Sequence, residues 1–149
     1  MSDPYSLQRF IDAQDPLYEQ VQDELRAGAK RSHWMWFMFP QIKGLGHSMM
    51  AQRFAVSSLA EAVAYLEHPL LGARLRELTR LVNEVEGKSI ESIFGYPDYV
   101  KFQSSMTLFA RATTDNATFT EALRKYFDGA PDPQTLARSK PSRKASASG

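Results

Sequence analysis

Between Pro69 and Gly87 the chain sets Leu70, Leu71, Leu75, Leu78, Leu81, Val82 and Val85 at helical spacing, which puts them on one broad face of a helix. Proline at the first helical position and glycine past the last apolar residue mark its two ends. The same order of cap, apolar stripe and stop recurs along nearly the whole chain. Asp15-Pro16 precedes Leu17, Val21 and Leu25, with Gly28 as the stop. Ser32 is placed to cap a short helix from His33 to Phe39, which Pro40 ends, and Ser48 to cap another through Arg53 and Phe54. Ser58 and Glu61 have the spacing of a capping box ahead of "LAEAVAYLEH". Ser89 to Phe94 reads as one short turn closed by Gly95, and Pro97 opens a helix through Val100, Phe102, Met106 and Phe109. Asp115 or Asn116 caps a helix carrying Phe119, Leu123 and Phe127 before Gly129, and residues 132–137 add a final turn. No stretch combines a sustained period of two with β-branched enrichment. The pattern predicts an all-α fold: a single compact domain of about seven mostly short helices over residues 1–137.

A chain of 149 residues suits one domain, and an apolar fraction of 43% supplies a core for it. No run reaches the ~18 apolar residues of a membrane span, and the start "MSDPYSLQRF" has no basic segment leading into an apolar one. A cytoplasmic, bacterial-type protein without membrane partners is the expectation. The absence of cysteine excludes disulfides, thiolate catalysis and Cys-based zinc sites. The net charge of +1 hides an asymmetry. Residues 138–149 carry Arg138, Lys140, Arg143 and Lys144 with no acid, or +4, which leaves −3 on everything before them. This Ser-, Ala- and Lys-rich tail is expected to be disordered. An acidic body argues against dedicated nucleic-acid binding.

Familiar catalytic signatures fail on inspection. "EGKS" at Glu86–Ser89 would need a glycine where Val82 stands to be a phosphate loop, and "GLGHSM" has Met49 where a dinucleotide fingerprint needs its third glycine. There is no Gly-x-Ser-x-Gly elbow and no His-Glu-x-x-His, and His33, His47 and His68 lack metal-ligand spacing. Neither a metal nor a cofactor is expected.

The informative residues are polar groups lodged in apolar surroundings, because burying one without a partner costs about 1–3 kcal/mol. The stretch "KRSHWMWFMFPQIKGLGHS" supplies His33, Trp34, Gln41 and His47. An imidazole can serve as acid, base or donor to phosphate near neutral pH, which makes His33 and His47 the candidate catalytic residues. Gly44 and Gly46 would let backbone N–H groups approach an anion, and a helix beginning at Ser48 would add its terminus. Trp34 could stack on a ligand ring or belong to the core. In "YPDYVKFQSSMTLFAR", helical spacing brings Lys101, Ser104 and Ser105 near one another, either as a polar binding strip or as small residues for close packing.

These two stretches, "SHWMWFMFPQIKGLGHS" and "IFGYPDYVKFQSSMTLF", resemble the bacterial family catalogued as domain of unknown function 1810, as do "DPYSLQRFIDAQDPLYEQVQDEL" and "YFDGAPDPQTL". The resemblance implies a small all-helical domain and no established activity. Members have sometimes been labelled calpastatin, a disordered and repetitive kind of inhibitor that this repeat-free, apolar-rich sequence does not match. The order of "HW..F", a Leu-rich helix and "KF..SM...F" also resembles a superfamily linked to NAD and ADP-ribose metabolism. The acidic residue beside the histidine of that superfamily's first motif is absent, since Ser32 precedes His33 and Trp34 follows it.

Two functions are therefore expected to compete. One is a domain binding a phosphorylated or nucleotide-like small molecule, with hydrolysis of ADP-ribose-type compounds as its catalytic form. There Trp34 would stack, Gln41, Gly44, Gly46, Lys101, Ser104 and Ser105 would hold the ligand, and His33 or His47 would move the proton. The other is a non-enzymatic module docking a protein partner through an exposed aromatic surface.

Overall fold

A computed structural model describes residues 2–140; the basic stretch 141–149, which holds most of the tail, lies outside the described residues. The fold is all-α. Among the described residues there are ten helices: α1 (Gln8–Gln14), α2 (Tyr18–Arg26), α3 (Met35–Met38), α4 (Met49–Arg53), α5 (Leu59–Glu67), α6 (Pro69–Glu84), α7 (Ile90–Phe94), α8 (Asp98–Arg111), α9 (Ala117–Phe127) and α10 (Pro133–Arg138). None is long and apolar enough to cross a membrane. The number exceeds the expected seven partly because short segments such as α3, α7 and α10 each stand as separate helices. It also rises because of α1, a helix that was not expected although Leu7, Phe10 and Ile11 stand at helical spacing. Asp3 starts that helix: its two carboxylate oxygens accept Leu7 N at 2.8 Å and Gln8 N at 3.0 Å, and these bonds hold the carboxyl below its usual range.

The centre of the molecule is α8. Seven of its fourteen residues are buried, from Phe102 to Phe109, because α5, α7, α9 and α10 all pack against it. The long helix α6 lies against α2, α5 and α9. The sequence "WMWFMF" is core: Trp34, Met35, Phe37, Met38 and Phe39 are buried, and Phe39 meets Phe102 edge-on at 5.1 Å. An exposed aromatic docking surface on this stretch is thus ruled out by its position. Only Trp36 of the six is half-buried.

Several expected caps form as read. Ser48 accepts Ala51 N and Ser89 accepts Ser92 N; His68, which was not expected to cap, uses Nδ1 to accept Leu70 N and Leu71 N at the start of α6. Two differ. Ser58 accepts Glu61 N, but the Glu61 carboxylate reaches back to Ser57 N instead of Ser58 N. Ser32 caps nothing, because Glu24 takes its hydroxyl at 2.6 Å. α5 and α6 meet at a tight elbow where a Cβ on Gly72 would lie 2.1 Å from the Leu66 carbonyl oxygen. α10 runs to Arg138 and Ser139 is buried behind it, two residues into the stretch read as tail.

Candidate functional site

The predicted site residues do not meet in one pocket; they divide between two clefts and the core. The larger cleft, about 710 Å³, holds Gln41, Gly44, Gly46 and His47. Its walls are the start of α1, the loop after Pro40, α4, and the first turn of α5. The loop leaves and returns at one pinch: Lys43 N donates to Val56 O at 2.8 Å and Val56 N to Gln41 O at 2.9 Å, with Ile42 and Val56 buried beneath. Between those bonds α4, with no buried residue, stands up as one rim of the cleft, anchored by Phe54, which is buried against Phe10 and Phe37.

The floor is built on Arg9. Its Nε donates to Arg53 O, Nη1 to Tyr5 O and Ser6 O, and Nη2 to Ala55 O and to Glu61 Oε2 at 3.0 Å. All five guanidinium hydrogens are thereby committed, so Arg9 is a brace and has none left for a ligand. Glu61, buried to 2% exposure, also accepts Ser57 N at 2.9 Å and Ser57 Oγ at 2.7 Å. The one carboxylate lining the cleft is therefore neutralised in place. Lys43 and Arg53, also in the lining, form no ion pair among the described residues, and the imidazole of His47 stands exposed beside them. Tyr5 contributes a half-buried ring.

The glycines here have packing reasons. Gly44 sits at φ +100°, and a Cβ there would lie 2.3 Å from Arg138 Nη1, so the guanidinium lies flat on the backbone. Gly46 would push a Cβ to 2.7 Å from that of Ala51. Ser48 already takes the Ala51 N–H, and α4 has only five residues, so the expected helix-terminus anion site is not formed.

The smaller cleft, about 390 Å³, holds His33 and Lys101 along with Trp36, Tyr96 and Asp98. Its shape depends on Glu24, which is 8% exposed. Oε1 accepts Arg31 N (2.8 Å), Ser32 N (3.2 Å) and Trp34 Nε1 (3.0 Å), while Oε2 accepts Ser32 Oγ (2.6 Å) and Gln20 Nε2 (3.0 Å). Burial alone would raise this carboxyl; the hydrogen bonds from Arg31, Ser32, Gln20 and Trp34 outweigh it and bring it down to about 2. The loop 30–34 is wrapped around one buried charge.

Three predicted ligand residues are corrected by position. Trp34 is fully buried, its indole N–H spent on Glu24, and has no open face for a ligand ring. Ser104, 3% exposed, lies within hydrogen-bond distance of Val100 O and of Asp132 Oδ2 (2.8 Å), which ties α10 to α8. Ser105 is wholly buried, and its Oγ has no partner among the described residues. Both serines are the small residues that let helices close on α8. Sequence reasoning missed Tyr5, Arg9, Lys43, Arg53 and Glu61. The capping box was a signal for Glu61's position, whereas nothing local marks Arg9 as the partner of a helix 52 residues away.

Fold and site together define a small, cysteine-free, all-helical protein with two separate clefts outside its core. The chain belongs to the family described as "Protein of unknown function (DUF1810)", whose model matches residues 4–138. It is similar to the conserved hypothetical protein Rv1873 from Mycobacterium tuberculosis, known from a crystal structure: the two are 57% identical, with a TM-score of 0.92 over 94% of this chain and 100% of that one. No protein of curated function matches the chain. The family expected from the two motifs is thus the family found.

Proposed function

We propose that the larger cleft binds a phosphorylated, nucleotide-like small molecule. The observation that carries this reading is its charge balance. The single lining carboxylate, Glu61, is neutralised by Arg9, which leaves Lys43, Arg53 and the imidazole of His47 to face a ligand. A volume of about 710 Å³ falls within the roughly 300–1,000 Å³ of small-molecule sites. Tyr5 takes the stacking role that sequence reasoning gave to Trp34, and Gln41 supplies a side-chain amide with no hydrogen bond to another described residue. The finer form of the reading is hydrolysis of an ADP-ribose-type compound, with His47 moving the proton; His33, in the other cleft, takes no part. A bacterial cytoplasm, where such anionic metabolites are abundant, is the setting that fits it, with no dedicated nucleic-acid partner.

Calorimetric titration with ADP-ribose tests the binding. Replacing Lys43 and Arg53 by Gln should weaken it about tenfold or more and flatten its salt dependence. Equal affinity in the double variant would sink the reading. His47→Ala should keep stability within about 1 kcal/mol while lowering affinity, and should abolish any release of free base or ribose phosphate seen by chromatography.

A further inference from the structure

We propose that the smaller cleft is a second, independent site for a nucleoside monophosphate: one planar ring with one phosphate. Its lining is set by the junction of α7 and α8 on one side and by residues 30–36 on the other, and it shares no residue with the larger cleft.

The ring-binding half is aromatic. Tyr96 is 80% exposed, and among the described residues it is the one Phe, Tyr or Trp that stands open to solvent. In a chain that buries so many of its rings, an open tyrosine at a cleft mouth has no packing purpose; its nearest ring, Tyr99, is tilted at 57° and does not cover it. Trp36 lies half-buried in the same cleft, so two rings and the exposed imidazole of His33 are available to a planar group.

The phosphate-binding half follows from the charges. Lys30, with a side chain only 7% exposed, pairs with Asp98 Oδ2 at 2.7 Å, and its ammonium also lies 5.0 Å over the Trp34 ring. That buried pair neutralises Asp98 and fixes it. Lys101 is held loosely: its Nζ stands 3.8 Å from Asp98 Oδ1, beyond hydrogen-bond length, and 5.3 Å over the face of Trp36. With Asp98 satisfied by Lys30, the charges of Lys101 and of exposed Arg31 are surplus. A phosphate entering the cleft would draw the Lys101 ammonium off the indole, and the same movement would bare the Trp36 face for the ring. A volume of about 390 Å³ is at the small end of ligand sites, which favours a mononucleotide over a dinucleotide.

The test is a titration of the 15N-labelled full chain with AMP, adenosine and ribose 5-phosphate in parallel, following the Trp36 indole N–H. AMP should shift it saturably at millimolar concentration. Adenosine, lacking the phosphate, and ribose 5-phosphate, lacking the ring, should each bind about tenfold more weakly. Tyr96→Ala, at a site too exposed to matter for folding, should weaken AMP about fivefold or more, and Lys101→Gln should do the same. Both variants should leave the response of the Gly44 and Gly46 amides to ADP-ribose unchanged, which separates this site from the larger cleft. The proposal is overturned if the Trp36 indole does not respond, if ribose 5-phosphate binds as well as AMP, or if AMP shifts only Gly44 and Gly46.

Discussion

Removing the charge of Glu24 without changing its shape, as in Glu24→Gln, probes what organises the loop carrying Lys30 and His33. Five donors converge on this carboxylate. A glutamine offers one acceptor oxygen and turns an NH2 toward groups that already donate. Seated in the same place, its oxygen can keep the bonds now made by Oε1, while Ser32 and Gln20 must reorient. The carboxyl is held at about 2 against an ordinary 4.5, a difference worth about 3 kcal/mol of folding stability at neutral pH. Because the folded value is the lower one, that stability is present above about pH 4.5, and it is lost as pH falls toward 2. Glu24→Gln should therefore cost about 2–3 kcal/mol at pH 7, or about 1–1.5 M in urea midpoint for a slope near 2 kcal/mol/M. At pH 3, where the native protein has lost more than half of the term, the deficit should shrink to about 1 kcal/mol. Urea unfolding at both pH values, followed by far-UV circular dichroism, measures it. A deficit under about 0.5 kcal/mol at pH 7, or one equal at the two pH values, would refute the view that this buried charge holds the loop.

Three further outcomes follow from the packing. Arg9→Met leaves Glu61 buried without its cation and should destabilise by about 3 kcal/mol in urea unfolding; the double variant with Glu61→Met should lose less than the two single costs combined. Gly72→Ala drives a Cβ against the Leu66 carbonyl, a backbone atom with nowhere to go, and should cost about 2 kcal/mol or more in thermal unfolding, whereas Gly87→Ala, with open space around it but φ +71°, should cost about 1 kcal/mol. Trp34→Phe should lower stability by about 1–3 kcal/mol through the lost bond to Glu24, yet leave ADP-ribose affinity in calorimetry unchanged; a large loss of affinity in a folded variant would return Trp34 to the site.

Helix spacing and caps made most of the architecture readable. Pro69, Ser89 and Ser48 each begin the helix they were expected to begin, and Gly95 closes α7, because those signals are local. What stayed hidden was long-range. α1 depends on Asp3 accepting amides four and five residues on, and its apolar stripe is only Leu7, Phe10 and Ile11, with the polar Gln14 completing the buried face. The division of the site into two clefts depends on Glu24 reaching Trp34 and on Arg9 reaching Glu61 across the fold. Polar residues in an apolar run were a correct sign that "KRSHWMWFMFPQIKGLGHS" matters, but Trp34 lies at its centre and is spent on structure, while the two ends of the run face different clefts. Glycine spacing in "GLGHS" suggested an anion loop because the same residues serve close approach to Arg138 and Ala51.

The most direct test of the larger cleft is the two-dimensional 1H–15N spectrum of the full chain titrated with ADP-ribose. Saturable shifts are expected at the Gly44, Gly46 and Gln52 amides and the Gln41 side chain, diminished by His47→Ala. Silence at these positions with millimolar ligand would contradict binding there, and shifts confined to the rest of the surface would do the same.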